Sequence, residues 1–374
     1  MKSLVGAIVW KEIREIRRDP ITIFVAIAMP LVILYLFGSA LSLDVRNAPM
    51  AVYDLDKSAQ SRDLIAAFPH SGYFGRVHVV SDEREIGTLL DRGEARLVLV
   101  IPADFSTRLA RGEPASLQAL IDGSFSATAM VIAGYAEGIV QDYGWNQAQA
   151  RIRAAQRDSP VVRVESRVWF NAPLESVYYI VPGLFGVILM AFPPLLTALA
   201  VVREKESGSV QQIFVSPIRA WQFILGKMIP YAVIAFLEMA MILAAGLLWF
   251  RVPFHGSFVL FLAAAALYVL CTVALGLLVS SATRSQLVAM LLAILLTLMP
   301  AFLFSGFLFP IFTMPAAMQV YTYLFPARYF VEISRDIAMK GAGIEIWWEQ
   351  LLALAAYTAV TSVAAMLLFR KKVA

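Results

Sequence analysis

Six stretches of this chain run for 20 or more residues with at most one charged side chain: 20–43, 176–202, 228–250, 252–283, 285–327 and 350–369. A helix that crosses the hydrocarbon core of a bilayer needs about 20 mostly apolar residues. Each stretch therefore holds at least one crossing, and only 228–250 is interrupted, by Glu238. Composition agrees, with 60% hydrophobic and 16% charged residues, where a soluble domain has about 45–50% and about 25%. The stretch 285–327 would be roughly 64 Å long as one helix, twice the thickness of the core. It must turn back, and Pro300, Gly306, Pro310 and Pro315 supply the breaks.

Ahead of the first apolar run, Val5, Ile8, Val9, Ile13 and Ile16 recur at helical spacing, with Lys11, Arg14 and Arg18 on another face. Residues 3–18 read either as a helix lying in the membrane surface or as an extension of the first span. The first run itself is longer than the 7–15 residues of a typical signal core, and acids are mixed with bases before it. It reads as a retained anchor despite the small residues Gly38-Ser39-Ala40.

Residues 44–172 are a different kind of polypeptide. They hold 14 basic and 16 acidic residues, more than half of the chain's charges. Residues 49–55, 76–80, 95–102, 116–122 and 161–170 alternate or run apolar as strands do, and 58–68, 82–92 and 125–157 read as helices. This predicts an α/β domain inserted between spans one and two. The expected organisation is an interfacial helix and first span over 1–43, the α/β domain over 44–172, and a five-helix membrane region over 173–374.

Orientation follows from Lys and Arg near the span ends. With the N-terminus inside, thirteen fall in cytoplasmic segments and four (Arg251, Arg328, Arg335 and Lys340) in short outer connections. The prediction is an α-helical integral membrane protein with six transmembrane helices, both termini cytoplasmic, and an extracytoplasmic α/β insert. Because the basic residues lie beside apolar spans, the net charge of +4 does not point to nucleic acid. The lone cysteine, Cys271, excludes an intrachain disulfide.

Catalytic and cofactor patterns are missing. Gly226-Lys227 lacks the first glycine and the Ser/Thr of a phosphate-binding loop. His70, His78 and His255 are scattered without metal-ligand spacing, and no nucleophile motif is present. Two features remain. One is REKESGSVQQIFVSPIRAWQFILGK (203–227), too polar to cross a bilayer and too short for a domain. The other is Glu238, a carboxylate inside a span, which reads equally as a cation or proton site and as a structural contact. Phe302, Phe304, Phe307, Phe309 and Phe312 cluster in sequence around the break in 285–327, as a hydrophobic gate or as core packing.

These segments resemble those of the permease subunit of type-2 ATP-binding-cassette exporters, in the subgroup with a large extracytoplasmic domain after the first helix. The resemblance rests on 203–227, on SGFLFPIFTMPAAMQVYTYLFPARYFVEISRDIAMKGAG (305–343), on KEIREIRRDP (11–20), and on AVYDLDKSAQS and LVLVIPADFS. It implies a re-entrant pair of short helices over 305–343 and a coupling role for 203–227. There Arg203, Glu204, Lys205, Glu206, Gly208 and Pro217 would shape the segment, and Val210, Ile213 and Phe214 would seat in a groove on a separate ATPase. It also implies ATP and Mg on that ATPase and no cofactor in this chain. A second permease chain, identical or related, and a periplasmic adaptor of the membrane-fusion type complete the implied partners, in a bacterial inner membrane. An aromatic and aliphatic path with Glu238, Phe302, Phe304, Phe307 and Phe309 fits an amphipathic or hydrophobic substrate. The alternative is a membrane receptor with a sensing domain and no ATPase partner, for which a backbone break at 305–343 has little use. A membrane-embedded enzyme has only Glu238 in its favour.

Overall fold

A computed structural model describes residues 4–41, 47–124, 126–154, 170–171, 175–209 and 218–368. The chain forms two compact units, Met1–Ser42 with Val168–Ala374, and Leu43–Arg167.

The first unit opens with α1 (Leu4–Arg18) and α2 (Pro20–Ala40). Asp19 separates them. Its carboxylate accepts from the backbone N–H groups of Ile21 and Thr22 at 3.1 and 3.2 Å, and Pro20 takes the first helical position, where no N–H is needed.

The second unit runs β1 (Ala48–Asp54), α3 (Ala59–His70), β2 (Phe74–Val79), α4 (Glu83–Asp91), β3 (Leu97–Ile101), α5 (Phe105–Arg111), β4 (Gln118–Ile121) and α6 (Ser126–Ala154). The strands form one sheet in the order β2-β1-β3-β4, parallel except for β4. Alternation divides the central strands between two cores. Met50, Val52, Leu97, Leu99 and Ile101 pack with residues of α3, α5 and α6, while Ala51 and Val98 pack with Ile86 and Leu89 of α4. Strands covered on both faces must be apolar throughout, as LVLVI of β3 is. The strand expected over 161–170 lies outside the described residues but for Phe170.

The first unit resumes with α7 (Ser176–Glu206), α8 (Ala220–Leu248), α9 (Phe258–Ala282), α10 (Gln286–Phe304), the short α11 (Ala316–Thr322) and α12 (Pro326–Arg335), and α13 (Ile344–Leu368). Six of these, α2, α7, α8, α9, α10 and α13, are long and apolar enough to cross a membrane. The centre is α7, buried almost all round from Ile180 to Ala191, whereas α13 buries only Trp347, Leu354, Thr361 and Ala365. A helix apolar on every side belongs in the middle of a bundle. Small residues let backbones approach closely. A Cβ on Gly276 of α9 would stand 2.4 Å from the Pro194 carbonyl oxygen of α7.

One expected break is absent. Pro300 lies inside α10, which continues to Phe304. The turn before it, Ile294–Leu298, is π-helical, with Met299 donating to the Ile294 carbonyl five residues back. That wider turn accommodates the proline ring and its missing donor. The chain turns instead at Ser305–Pro310, with Gly306 at φ 80°, followed by a 3-10 turn at Ile311–Thr313, α11 and α12.

Candidate functional site

At its Glu206 end, α7 carries the four charges that begin the 203–227 segment, and each is bound to a different element. Arg203 pairs with Asp19 at 2.5 Å, and this guanidinium holds the Asp19 carboxyl down to about 2. Lys205 donates to the Thr283 carbonyl at 3.0 Å and to that of Ser280, beyond and at the end of α9. Glu206 accepts from the backbone N–H of Gln286 at 2.7 Å and from its side-chain amide, at the start of α10. Glu204 points into the bundle, where its carboxylate meets Lys227 of α8 at 3.0 Å and Lys11 of α1.

Lys227 is 1% exposed and also pairs with Glu12 of α1, equally buried, at 2.7 Å. Lys11 reaches Glu12 and Glu15 as well, at 3.5 and 3.3 Å. Burial pushes the Glu12 carboxyl up, against the pull of Lys227. For Lys11 burial acts against the charge, but the hydrogen bond to Glu204 prevails and raises it. Glu12, Glu15 and Glu204 bring carboxylate oxygens within 4.8 Å of one another, and the ammonium groups of Lys11 and Lys227 stand among them. A buried carboxylate keeps its charge only when paired in this way. The face of α1 turned to the bundle is thus Ile8 and Glu12, while Ile13 is exposed. Gly226 lets Ile8 in, since a Cβ there would stand 2.6 Å from the Ile8 side chain. Beside the cluster opens a cleft of about 680 Å³, lined by α1, Asp19, α7 and Tyr231 of α8.

Of the other residues expected in the segment, Gly208 closes α7 at φ 73°. Val210, Ile213, Phe214 and Pro217 lie outside the described residues.

The residues expected to form a path do not converge. Glu238 is 1% exposed in the middle of α8, and neither carboxylate oxygen has a hydrogen-bond partner among the described residues. Phe302 meets Phe37 of α2 and Phe307, with ring centroids 5.4 and 5.5 Å apart. Phe304 stacks instead on Phe325 and meets Tyr321 edge-on. Phe307 is buried, whereas Phe309 and Phe312 are exposed. Among the described residues, the aromatics around the break form two separate clusters and two exposed rings.

Sequence reasoning missed three groups. Glu12 lies in a run that mixes charges with apolar residues; the one signal that could have found it is the need of Lys227, at the edge of an apolar span, for an acid. Asp19 caps α2 and pairs with Arg203; an acid directly before Pro20 is the signal that could have found the cap. Arg335, counted as a loop charge, reaches three backbone carbonyls at the other end of α7.

Residues 20–367 match the family described as "ABC-2 family transporter protein". The chain is 34% identical over 363 residues to the probable multidrug ABC transporter permease YbhR of Escherichia coli strain K12, covering 97% of each chain. It is 32% identical to the probable multidrug ABC transporter permease YbhS of the same strain, over 90% of this chain and 89% of that one. Similarity at 27% identity extends to the inner membrane transport permease YhhJ of that strain, over 97% and 96% of the two chains.

Proposed function

Because this chain belongs to the ABC-2 family of transporter proteins, and is an ABC transporter permease of the inner membrane, we propose that it forms the membrane path of an ATP-driven exporter of amphipathic or hydrophobic compounds. Two permease chains, identical or related, line that path between them. Two separate ATPase subunits dock on residues 203–227 and beside α1, and the unit Leu43–Arg167 is the extracytoplasmic α/β insert. Residues 305–343 are the re-entrant element, and Glu238 with Phe302, Phe304, Phe307 and Phe309 border the path.

The observation that carries this reading is the anchoring of Arg203, Glu204, Lys205 and Glu206 to four different parts of the bundle. A push on the segment that follows reaches α1, α8, α9 and α10 together. A loop that only fixed topology would not need its charges tied to four elements. The names of YbhR and YbhS, with the word multidrug, support drug-like substrates. A sensing receptor has no counterpart in these observations.

Native-membrane purification tests the assembly. The chain is expected to bring down an ABC ATPase in equal amount, and the permease alone to hydrolyse no ATP. Recovery without any ATPase would overturn the reading. Orientation is tested separately. A cysteine at Ser116 should react with an impermeant thiol reagent from the periplasmic side and one at Ser209 should not; labelling of Ser209→Cys from that side would refute the topology.

A further inference from the structure

The Ser176 end of α7 is joined to the break after α10 chiefly by Arg335, with the Tyr179 hydroxyl adding a longer bond to the Gly306 carbonyl at 3.4 Å. The Arg335 guanidinium ends on backbone from two separate elements. Its Nε donates to the Tyr179 carbonyl at 3.1 Å, Nη1 to that of Gly306 at 2.8 Å, and Nη2 to that of Phe307 at 3.1 Å. It also lies 3.6 Å over the Tyr179 ring. None of the ion pairs among the described residues involves it.

The chemistry of the break explains why an arginine stands there. With α10 finished at Phe304 and Gly306 at φ 80°, the Gly306 and Phe307 carbonyls have left the helical ladder. Irregular backbone among apolar spans must find its partners inside the protein. A planar fork with five donors can serve three carbonyls at once, which an ammonium on a flexible stem cannot hold in fixed geometry. Ser305 Oγ accepts from the Phe307 N–H at 3.2 Å, so the break's donor is met as well.

What the fork positions is Phe307. That ring is 3% exposed and sits in a notch over Gly183 of α7, where a Cβ would stand 2.7 Å from both Phe307 Cδ2 and Arg335 Nη2. Two residues on, Phe309 is 57% exposed. The boundary between sealed and open therefore falls at the residue whose carbonyl Arg335 grips.

We propose that Arg335 is a latch: it positions Phe307 in the Gly183 notch, and its release opens that end of the transport path. The hold on Phe307 stands on geometry alone; its role as a gate rests on the path proposed above.

The test is thiol labelling of Phe307→Cys, in a Cys271→Ser background, in the assembled transporter on membrane sheets open to both sides. With Arg335 intact the cysteine should be slow to react. In Arg335→Lys and Arg335→Gln, losing hydrogen bonds to a charged group should speed labelling about tenfold or more. Transport per molecule should fall while ATP hydrolysis continues. Phe309→Cys, already exposed, should label at an unchanged rate, which separates a released latch from general unfolding. Gly183→Ala keeps the arginine but sets a methyl 2.7 Å from its Nη2, pushing the fork off the Phe307 carbonyl, and should speed Phe307→Cys labelling too, so the test survives if the arginine variants fail to insert. Unchanged labelling of Phe307→Cys in all three variants would overturn the latch. Faster labelling with transport unchanged would overturn the gate.

Discussion

The two ends of α7 solve one problem with different chemistry. At the Glu206 end most of the polar groups to be satisfied are charged side chains that neutralise one another, Glu204 with Lys227 and Lys11 and Arg203 with Asp19, while Lys205 and Glu206 bind backbone at the ends of the neighbouring helices. At the Ser176 end they are backbone carbonyls, and one cation serves them. The first arrangement ties five helices in a fixed register. The second joins a helix to an irregular turn chiefly through one residue, Arg335. Ends built so differently should respond differently to substitution: the clasp should lose stability, the latch mainly the position of one ring.

The largest effect is expected at Lys227. Lys227→Met leaves Glu12 and Glu204 buried near one cation fewer, at a cost of about 3–5 kcal/mol. Thermal unfolding of detergent-purified protein, or the amount inserted in the membrane, reads this loss. Adding Glu12→Gln removes one orphaned charge and should restore part of it. If the double variant is no better than the single, the clasp is not held by this pairing.

At the other end, Gly183→Ala should destabilise by about 1–3 kcal/mol, the usual range for overpacking. The neighbours that must move are the flexible Arg335 tip and the Phe307 ring, so the lower part of that range is expected. A loss as large as that of Lys227→Met would erase the contrast between the two ends.

Much of this architecture is legible in the sequence, and the reasons are local. The spans announce themselves because each is a long run with at most one charge, and strands β1 and β3 because strands buried on both faces must be apolar throughout. The charges of 203–206 stand out against apolar neighbours. Which partner each charge takes is not written locally, since Lys11 and Glu204 are 193 residues apart. Pro300 misleads because a proline reads as a stop, and only the π-turn at Ile294–Leu298 shows how the helix passes it. The Arg335 partners are carbonyls of Tyr179, Gly306 and Phe307, which belong to the backbone and leave no residue pattern. The five phenylalanines are close in sequence, yet a helix followed by a sharp turn sends them to different neighbours.

Between the two ends stands Glu238, which resembles neither, since its carboxylate oxygens have no partner among the described residues. If it borders the path, Glu238→Gln should reduce export of a cationic probe several-fold more than that of a matched neutral probe, normalised to inserted protein. Equal losses would leave it a packing contact.

The smallest effect is expected at the exposed rim of the clasp. Asp19 titrates below its unfolded value because of Arg203. The stability it contributes is therefore complete above the ordinary carboxylate pKa near 3.8 and is lost as pH falls through about 2. Such a partly exposed pair contributes about 0.2–1 kcal/mol. Removing the carboxylate with Asp19→Asn should lower the melting temperature slightly at pH 7 and bring the two proteins together below pH 2. A gap that persists in acid would assign the effect to the helix cap rather than to the ion pair.

In the proposed function, movement enters the bundle through the segment after Glu206. The most direct test of this route is the ATPase rate of the assembled complex with Phe214→Asp, which places a charge where an apolar contact with the ATPase is proposed. Normal insertion, lost permease stimulation of ATP hydrolysis and lost transport are expected. Stimulation and transport at the unsubstituted level would contradict this route.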